Sequence, residues 1–205
     1  MKKPEENVNE NVQENAQGNT QKHPEWSAQN NTLKLVKMGM LVALSILLVY
    51  LIHFPIFPAV PYLEYDPADI PILIGTFAFG PVAGLILTVV TAIVQGLTVS
   101  AASGVYGILM HIIATGAYVI VAGLIYSIRV KTKKKAVIAL ICGVAAMTLV
   151  MIPSNLIVTP AFTGMPRSAI VGLLPFIIAF NALKAGINAV VTFLLYKRIS
   201  GFLKR

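Results

Sequence analysis

The sequence predicts an all-α integral membrane protein of six transmembrane helices, on three observations. Of 205 residues, 57% are hydrophobic and only 12% charged, where a soluble domain carries about a quarter charged residues; the mean hydropathy is +0.78. From Leu33 onward the apolar residues gather in long stretches, and roughly 20 such residues at 1.5 Å rise cross about 30 Å of hydrocarbon. The 16 Lys and Arg, which set a net charge of +8, sit almost entirely in short segments beside those stretches. That placement reads as a topology signal and not as a nucleic-acid surface.

Residues 1–32 are rich in Asn, Gln and Glu and hold five of the eight acidic residues. Such a segment cannot offset its ordering entropy and is expected to be a disordered tail ahead of a membrane domain at 33–205. It is too long and acidic for a cleavable signal peptide. The expected spans are about 33–53, 67–79, 81–100, 105–128, 136–158 and 171–196, with the short second one a candidate re-entrant segment. Lys34 and Lys37, the run Arg129, Lys131, Lys133, Lys134 and Lys135, and Lys197, Arg198, Lys204 and Arg205 mark one side; loops 54–66, 101–104 and 159–170 carry only Arg167. Positive residues stay cytoplasmic, so both termini are expected inside. The basic run at 129–135 is read as an orientation signal before a lipid-headgroup site.

Lys184 is the residue that asks most of its surroundings. About eleven residues from the outer end of the last span, it lies roughly 16 Å deep, too far for easy snorkelling. An ionised group there costs about 2.5–3.5 kcal/mol on insertion scales and persists where it meets a cavity or a partner. Asn181, Lys184 and Asn188 follow at i, i+3 and i+7, one face of one helix, with Gly186 permitting close approach. Asn181 and Lys184 read as ligand-binding residues. Asn188 reads equally as that or as interhelical glue. Asn155, in Pro153-Ser154-Asn155, either faces the same cavity or satisfies a backbone freed by the proline. Gln95 and His111 are weighted toward structural bonding, and lone Cys142 toward inert packing.

The acidic run Glu64-Tyr65-Asp66-Pro67-Ala68-Asp69 resembles a paired-carboxylate site, yet a local reading is stronger: Asp66 as N-cap, Pro67 at the first helical position and Asp69 in the first turn. The Pro-rich segment from Phe54 through Pro61, Tyr62, Leu63 and Glu64 makes a constrained outer loop suited to cover a pocket. Gly39 and Ala43 form a small-xxx-small pair, used for internal packing or for docking another membrane protein. There is no G-x-x-x-x-G-K-[ST], H-E-x-x-H or G-x-S-x-G, so any ATP-driven work belongs to a partner chain.

Residues 33–200 resemble the substrate-binding S components of energy-coupling factor (ECF) vitamin transporters, in particular the riboflavin-binding RibU family. The likeness rests on Gly39-Met40-Leu41-Val42-Ala43, similar to an Ala-x-x-x-Ala docking motif in which Gly39 replaces the first Ala; on Tyr65–Pro71 and Gly75–Pro81; and on Phe180-Asn181-Ala182-Leu183-Lys184-Ala185-Gly186. The resemblance implies a six-helix S-component bundle in the cell membrane, not an enzyme. It also implies an outward pocket for riboflavin as transported ligand, with no cofactor or metal. The partners it implies are an ECF transmembrane coupling component and ABC-type ATPase subunits, besides membrane lipid. It carries flavin contacts onto Asn181 and Lys184, and onto Asn155, and a covering role onto the first loop. Another water-soluble vitamin or aromatic metabolite is the alternative ligand. The rival classes are an intramembrane enzyme using Glu64, His53 and His111, and a ligand-free assembly subunit.

Overall fold

The computed structural model describes residues 24–128 and 131–203. The chain divides into two units, Met1–Val36 and Lys37–Arg205, and the bundle described below belongs to the second. Among the described residues six α-helices follow in order: α1 Pro24–Leu51, α2 Asp69–Phe79, α3 Pro81–Leu97, α4 Gly104–Ser127, α5 Lys133–Thr163 and α6 Arg167–Leu203. All six expected helices are present, with shifted ends. Helix α1 starts at Pro24, nine residues ahead of the expected span, because proline is preset for a helix start; the part long and apolar enough for a membrane begins at Asn31, and 1–23 lie outside the described residues. Helices α5 and α6 run on until only 164–166 separate them, so the expected loop 159–170 shrinks to a turn in which Gly164 takes φ 72°.

Among the described residues four helical segments are long and apolar enough to cross a membrane: Asn31–Leu51, Ala101–Ser127, Lys133–Thr163 and Arg167–Tyr196. Helices α2 and α3 are shorter, 11 and 17 residues, and meet at Gly80 with φ 96°. That left-handed value suits glycine, and Pro81 opens α3. From Asp69 to Phe77 every residue of α2 is buried, so the helix is enclosed on all sides and shows little amphipathic pattern.

A helix that ends inside a bundle leaves carbonyls without water to solvate them. Here the Phe77 carbonyl accepts from Lys131 Nζ at 3.2 Å and from the Tyr196 hydroxyl at 3.3 Å. Tyr126 stacks on Phe77 with ring centroids 4.3 Å apart, and the Lys131 ammonium lies 5.4 Å over the Tyr126 ring. The polar end of the short helix is thereby closed by aromatic and cationic groups. Elsewhere α4 and α5 approach closely where Gly143 faces the Tyr118 ring, a position at which any side chain would collide with that ring.

The loop between α1 and α2 is constrained, as its proline content suggests, and by more than its prolines. Phe54–Pro55 pairs antiparallel with Glu64–Tyr65, register Phe54 with Tyr65 and Pro55 with Glu64. Val60 is fully buried at the centre of a small apolar cluster with Ile170 and Ile177, against which Phe57, Tyr62 and Leu63 pack. The loop is therefore anchored on α6.

Candidate functional site

The loop, the end of α1 and helices α3, α4, α5 and α6 line a cavity of about 140 Å³. Lys184 and Asn181 reach it from α6, Gln95 from α3, His111 and Thr115 from α4, Met147 and Met151 from α5, and Tyr62, Leu63, Glu64 and Asp66 from the loop. A second compartment of about 80 Å³ lies beyond Tyr62 and Leu63, and Asn155 and Thr159 line it. Both compartments share Tyr62, Leu63, Ser103, Gly107, Met110 and Met151 as walls. Tyr62 and Leu63, which the sequence offered as part of a covering loop, thus line both the compartment with Asn181 and Lys184 and the one with Asn155.

The Lys184 ammonium pairs with Asp66 Oδ2 at 2.7 Å. This corrects the purely local reading of the acidic run. The capping bond exists, since Asp66 Oδ1 accepts from the Ala68 N–H at 3.1 Å, but the helix begins at Asp69 with no side-chain cap on its N-cap residue. The second oxygen of Asp66 is the counter-ion of the deepest lysine. Asp69 likewise does more than favour a helix dipole: it accepts from Thr115 Oγ1 at 2.6 Å and from Asn188 Nδ2 at 3.1 Å, and His111 Nε2 lies 3.9 Å from it. A carboxylate at a helix start has become the node joining α2, α4 and α6.

Asn188 belongs to that node. Its Nδ2 reaches the Asp66 carbonyl at 3.3 Å as well as Asp69, and its Oδ1 accepts from the Tyr65 hydroxyl at 3.1 Å. It is absent from the cavity lining, so of its two open readings the structure favours the interhelical one. Asn181 lines the cavity, with Nδ2 donating to the Ile177 carbonyl at 2.8 Å. Asn155 donates to the Met151 carbonyl at 2.8 Å and accepts from Thr159 at 2.9 Å. The carbonyl that Pro153 frees is that of Leu149, four residues back, so the kink does not account for Asn155.

Three cavity-lining side chains carry a buried polar atom without a hydrogen-bond partner: Tyr62 Oη, Gln95 Oε1 and His111 Nε2. Buried polar groups are paired in the large majority of cases, and an orphan calls for an explanation such as a ligand or ordered water. Burial also pushes the Tyr62 hydroxyl above its ordinary pKa, so it stays protonated as a donor. The sequence weighted Gln95 and His111 toward structural bonding; the structure puts both on the cavity wall. Spacing did not single them out, because Gln95 shares its helix face with Thr88 and Thr91 and His111 is followed by Thr115, and hydroxyl and amide groups at helical spacing read as ordinary interhelical bonding.

Gly39 and Ala43 lie elsewhere, exposed on α1. With Val42, Ile46, Leu47, Val94 and Thr98 they border an apolar groove between α1 and α3, and the space over Gly39 is open. The packing alternative is thereby not the one realised at Gly39.

The family model for the substrate-specific component of ECF transporters matches residues 33–196. The chain belongs to this family: it is an ECF S component. It is 32% identical over 178 residues to the riboflavin transporter RibU of Staphylococcus aureus (strain TCH60), covering 84% of this chain and 93% of that one. The riboflavin transporter FmnP of Bacillus subtilis (strain 168) is 26% identical over 186 residues, covering 84% and 94%. A solved structure, described as that of the S component of a bacterial ECF transporter, superposes with a TM-score of 0.72 at 34% identity, covering 86% of this S component and 99% of that chain. An S component is a membrane-embedded substrate-binding subunit of a transporter and not an enzyme. The alternative built on Glu64, His53 and His111 falls with that assignment, and His53 Nδ1 is engaged with the Val49 carbonyl at 3.0 Å.

Proposed function

We propose that this S component captures riboflavin from outside the cell and delivers it for uptake through an ECF module. The observation that carries the reading is the cavity at Lys184, where a cation, an amide and three unpartnered polar atoms converge between apolar walls. Ligand sites have this makeup, mostly apolar with a few placed polar groups. Riboflavin matches it in chemistry: its ring edge offers carbonyls and nitrogens to Asn181 and Lys184, and its ribityl hydroxyls suit the loop-facing groups and Asn155. Relatives named as riboflavin transporters support the same ligand. The compartments, about 140 and 80 Å³, are each below the roughly 300 Å³ of ordinary ligand pockets. Entry of a tricyclic ligand therefore requires Tyr62 and Leu63 to move and join them, with Pro61 through Glu64 as the lid.

In this reading six helices span the membrane, α2 and α3 together filling the thickness that neither covers alone. Both termini are cytoplasmic, and the Gly39 and Ala43 face of α1 docks the transmembrane coupling component of a module driven by ABC-type ATPases. A yellow protein after purification in detergent, with flavin absorbance in the visible and a rise in Tm on adding riboflavin, is the expected result. A colourless protein with no thermal shift would remove riboflavin and leave another vitamin or aromatic metabolite.

A further inference from the structure

Helices α5 and α6 form an antiparallel hairpin, and along one side of it runs an apolar groove of about 410 Å³ that shares no lining residue with the cavity. Val137, Ile141 and Val144 border it from α5, and Gly186, Val190 and Leu194 from α6. On α5 these residues recur every three or four positions, so they share one stripe, and the same stripe continues back through Lys133 and Lys134, one turn before Val137. On α6 the stripe continues from Leu194 to Arg198, four residues on. Because the helices are antiparallel, the start of α5 and the end of α6 lie together. Lys133, Lys134 and Arg198 are all exposed. The groove thus has an apolar length of about 11 Å, from seven or eight residues at helical rise, and the exposed Lys133, Lys134 and Arg198 follow about one helical turn beyond one end of its lining.

We propose that this groove is a binding site for one anionic phospholipid, an acyl chain lying along Val137–Val144 and Gly186–Leu194 and the phosphate held by Lys133, Lys134 and Arg198. Charge complementarity selects the occupant. An apolar groove alone accepts any acyl chain or a partner helix, whereas each basic residue near an anionic headgroup strengthens binding roughly fivefold. Gly186 is what keeps the groove open: a side chain added there meets nothing within 4 Å, so the position has room for a larger residue that would occupy the acyl track without disturbing the fold.

Native mass spectrometry of the detergent-purified protein, incubated with equal amounts of phosphatidylglycerol and phosphatidylcholine of the same chains, tests the site. The expected result is one retained phosphatidylglycerol in preference to phosphatidylcholine. Lys133→Gln with Lys134→Gln and Arg198→Gln should remove that preference, and Gly186→Leu should remove the retained lipid of either kind. Riboflavin binding, which uses none of these residues, should be unchanged and confirms that each variant folds. Equal retention of both lipids, or retention indifferent to Gly186→Leu, overturns the proposal. So does loss of assembly with the energising module in Gly186→Leu while lipid retention stays intact, which would give the groove to a partner helix.

Discussion

Lys184 and Asp66 show what a single buried charge demands. The lysine is legible in the sequence because ionised groups in apolar helices are costly and need a reason. Its counter-ion is 118 residues away and has a sufficient local explanation as a cap, so nothing in the sequence joins the two. Breaking a buried pair by removing one member costs about 3–5 kcal/mol, while replacing both with apolar groups is often neutral. Asp66→Asn is therefore expected to lower Tm in detergent strongly, and Lys184→Met combined with Asp66→Asn to recover much of it without recovering ligand binding. A double variant as unstable as Asp66→Asn would show that Asp66 acts through Ala68 and the helix start instead. Gln95→Ala and His111→Ala carry a milder expectation. In the proposed site each removes one hydrogen bond to ligand, about 0.5–1.5 kcal/mol, and a titration should read a loss of a few-fold in affinity with Tm held. His111 was not separable from a structural histidine by sequence, since only the folded cavity reveals its unpartnered nitrogen.

At the scale of elements, the count and order of helices were legible from apolar stretches and from the Phe79-Gly80-Pro81 break. Their ends were less so. Polar residues at a membrane surface neither favour nor forbid another turn, and α5 passes through Pro153 and Pro160 without stopping, because proline in a helix within a bundle is tolerated when neighbours satisfy the freed carbonyls. The two-residue pairing of Phe54–Pro55 with Glu64–Tyr65 was hidden for a different reason, being too short to leave an alternation. Its consequence is a loop tied at its two ends and packed at Val60, the segment proposed as the lid. Val60→Asp should place a charge in the cluster of Ile170 and Ile177 and loosen the lid. Stopped-flow flavin fluorescence should then show faster ligand release with a smaller change in association. Unchanged release would mean that the loop does not cover the site. The end of α2 is a second test of element logic: Tyr196→Phe leaves the Phe77 carbonyl one donor short, a cost of about 1–3 kcal/mol if Lys131 does not compensate, readable as a drop in Tm.

For the whole molecule, charge asymmetry gives the expected orientation and the apolar excess gave the membrane, but neither gives a direction of transport or a partner. The assignment to the S components supplies the class of machine, and the exposed α1 face is the proposed place for docking. Gly39→Leu should abolish riboflavin uptake in cells that carry the energising module while purified protein still binds the vitamin, because the space over Gly39 is open and the substitution does not strain the bundle. Loss of both uptake and binding would assign α1 to the ligand site.

The central claim is that the cavity closed around Lys184 is the riboflavin site. Its most direct measurement is a fluorescence-quenching titration of riboflavin into purified wild-type protein and Lys184→Met in parallel, each checked for helicity. The account predicts saturable one-to-one quenching by the wild type and an affinity lower by at least about tenfold in Lys184→Met, the share of a charge-assisted hydrogen bond. Equal affinities in the two proteins would contradict it.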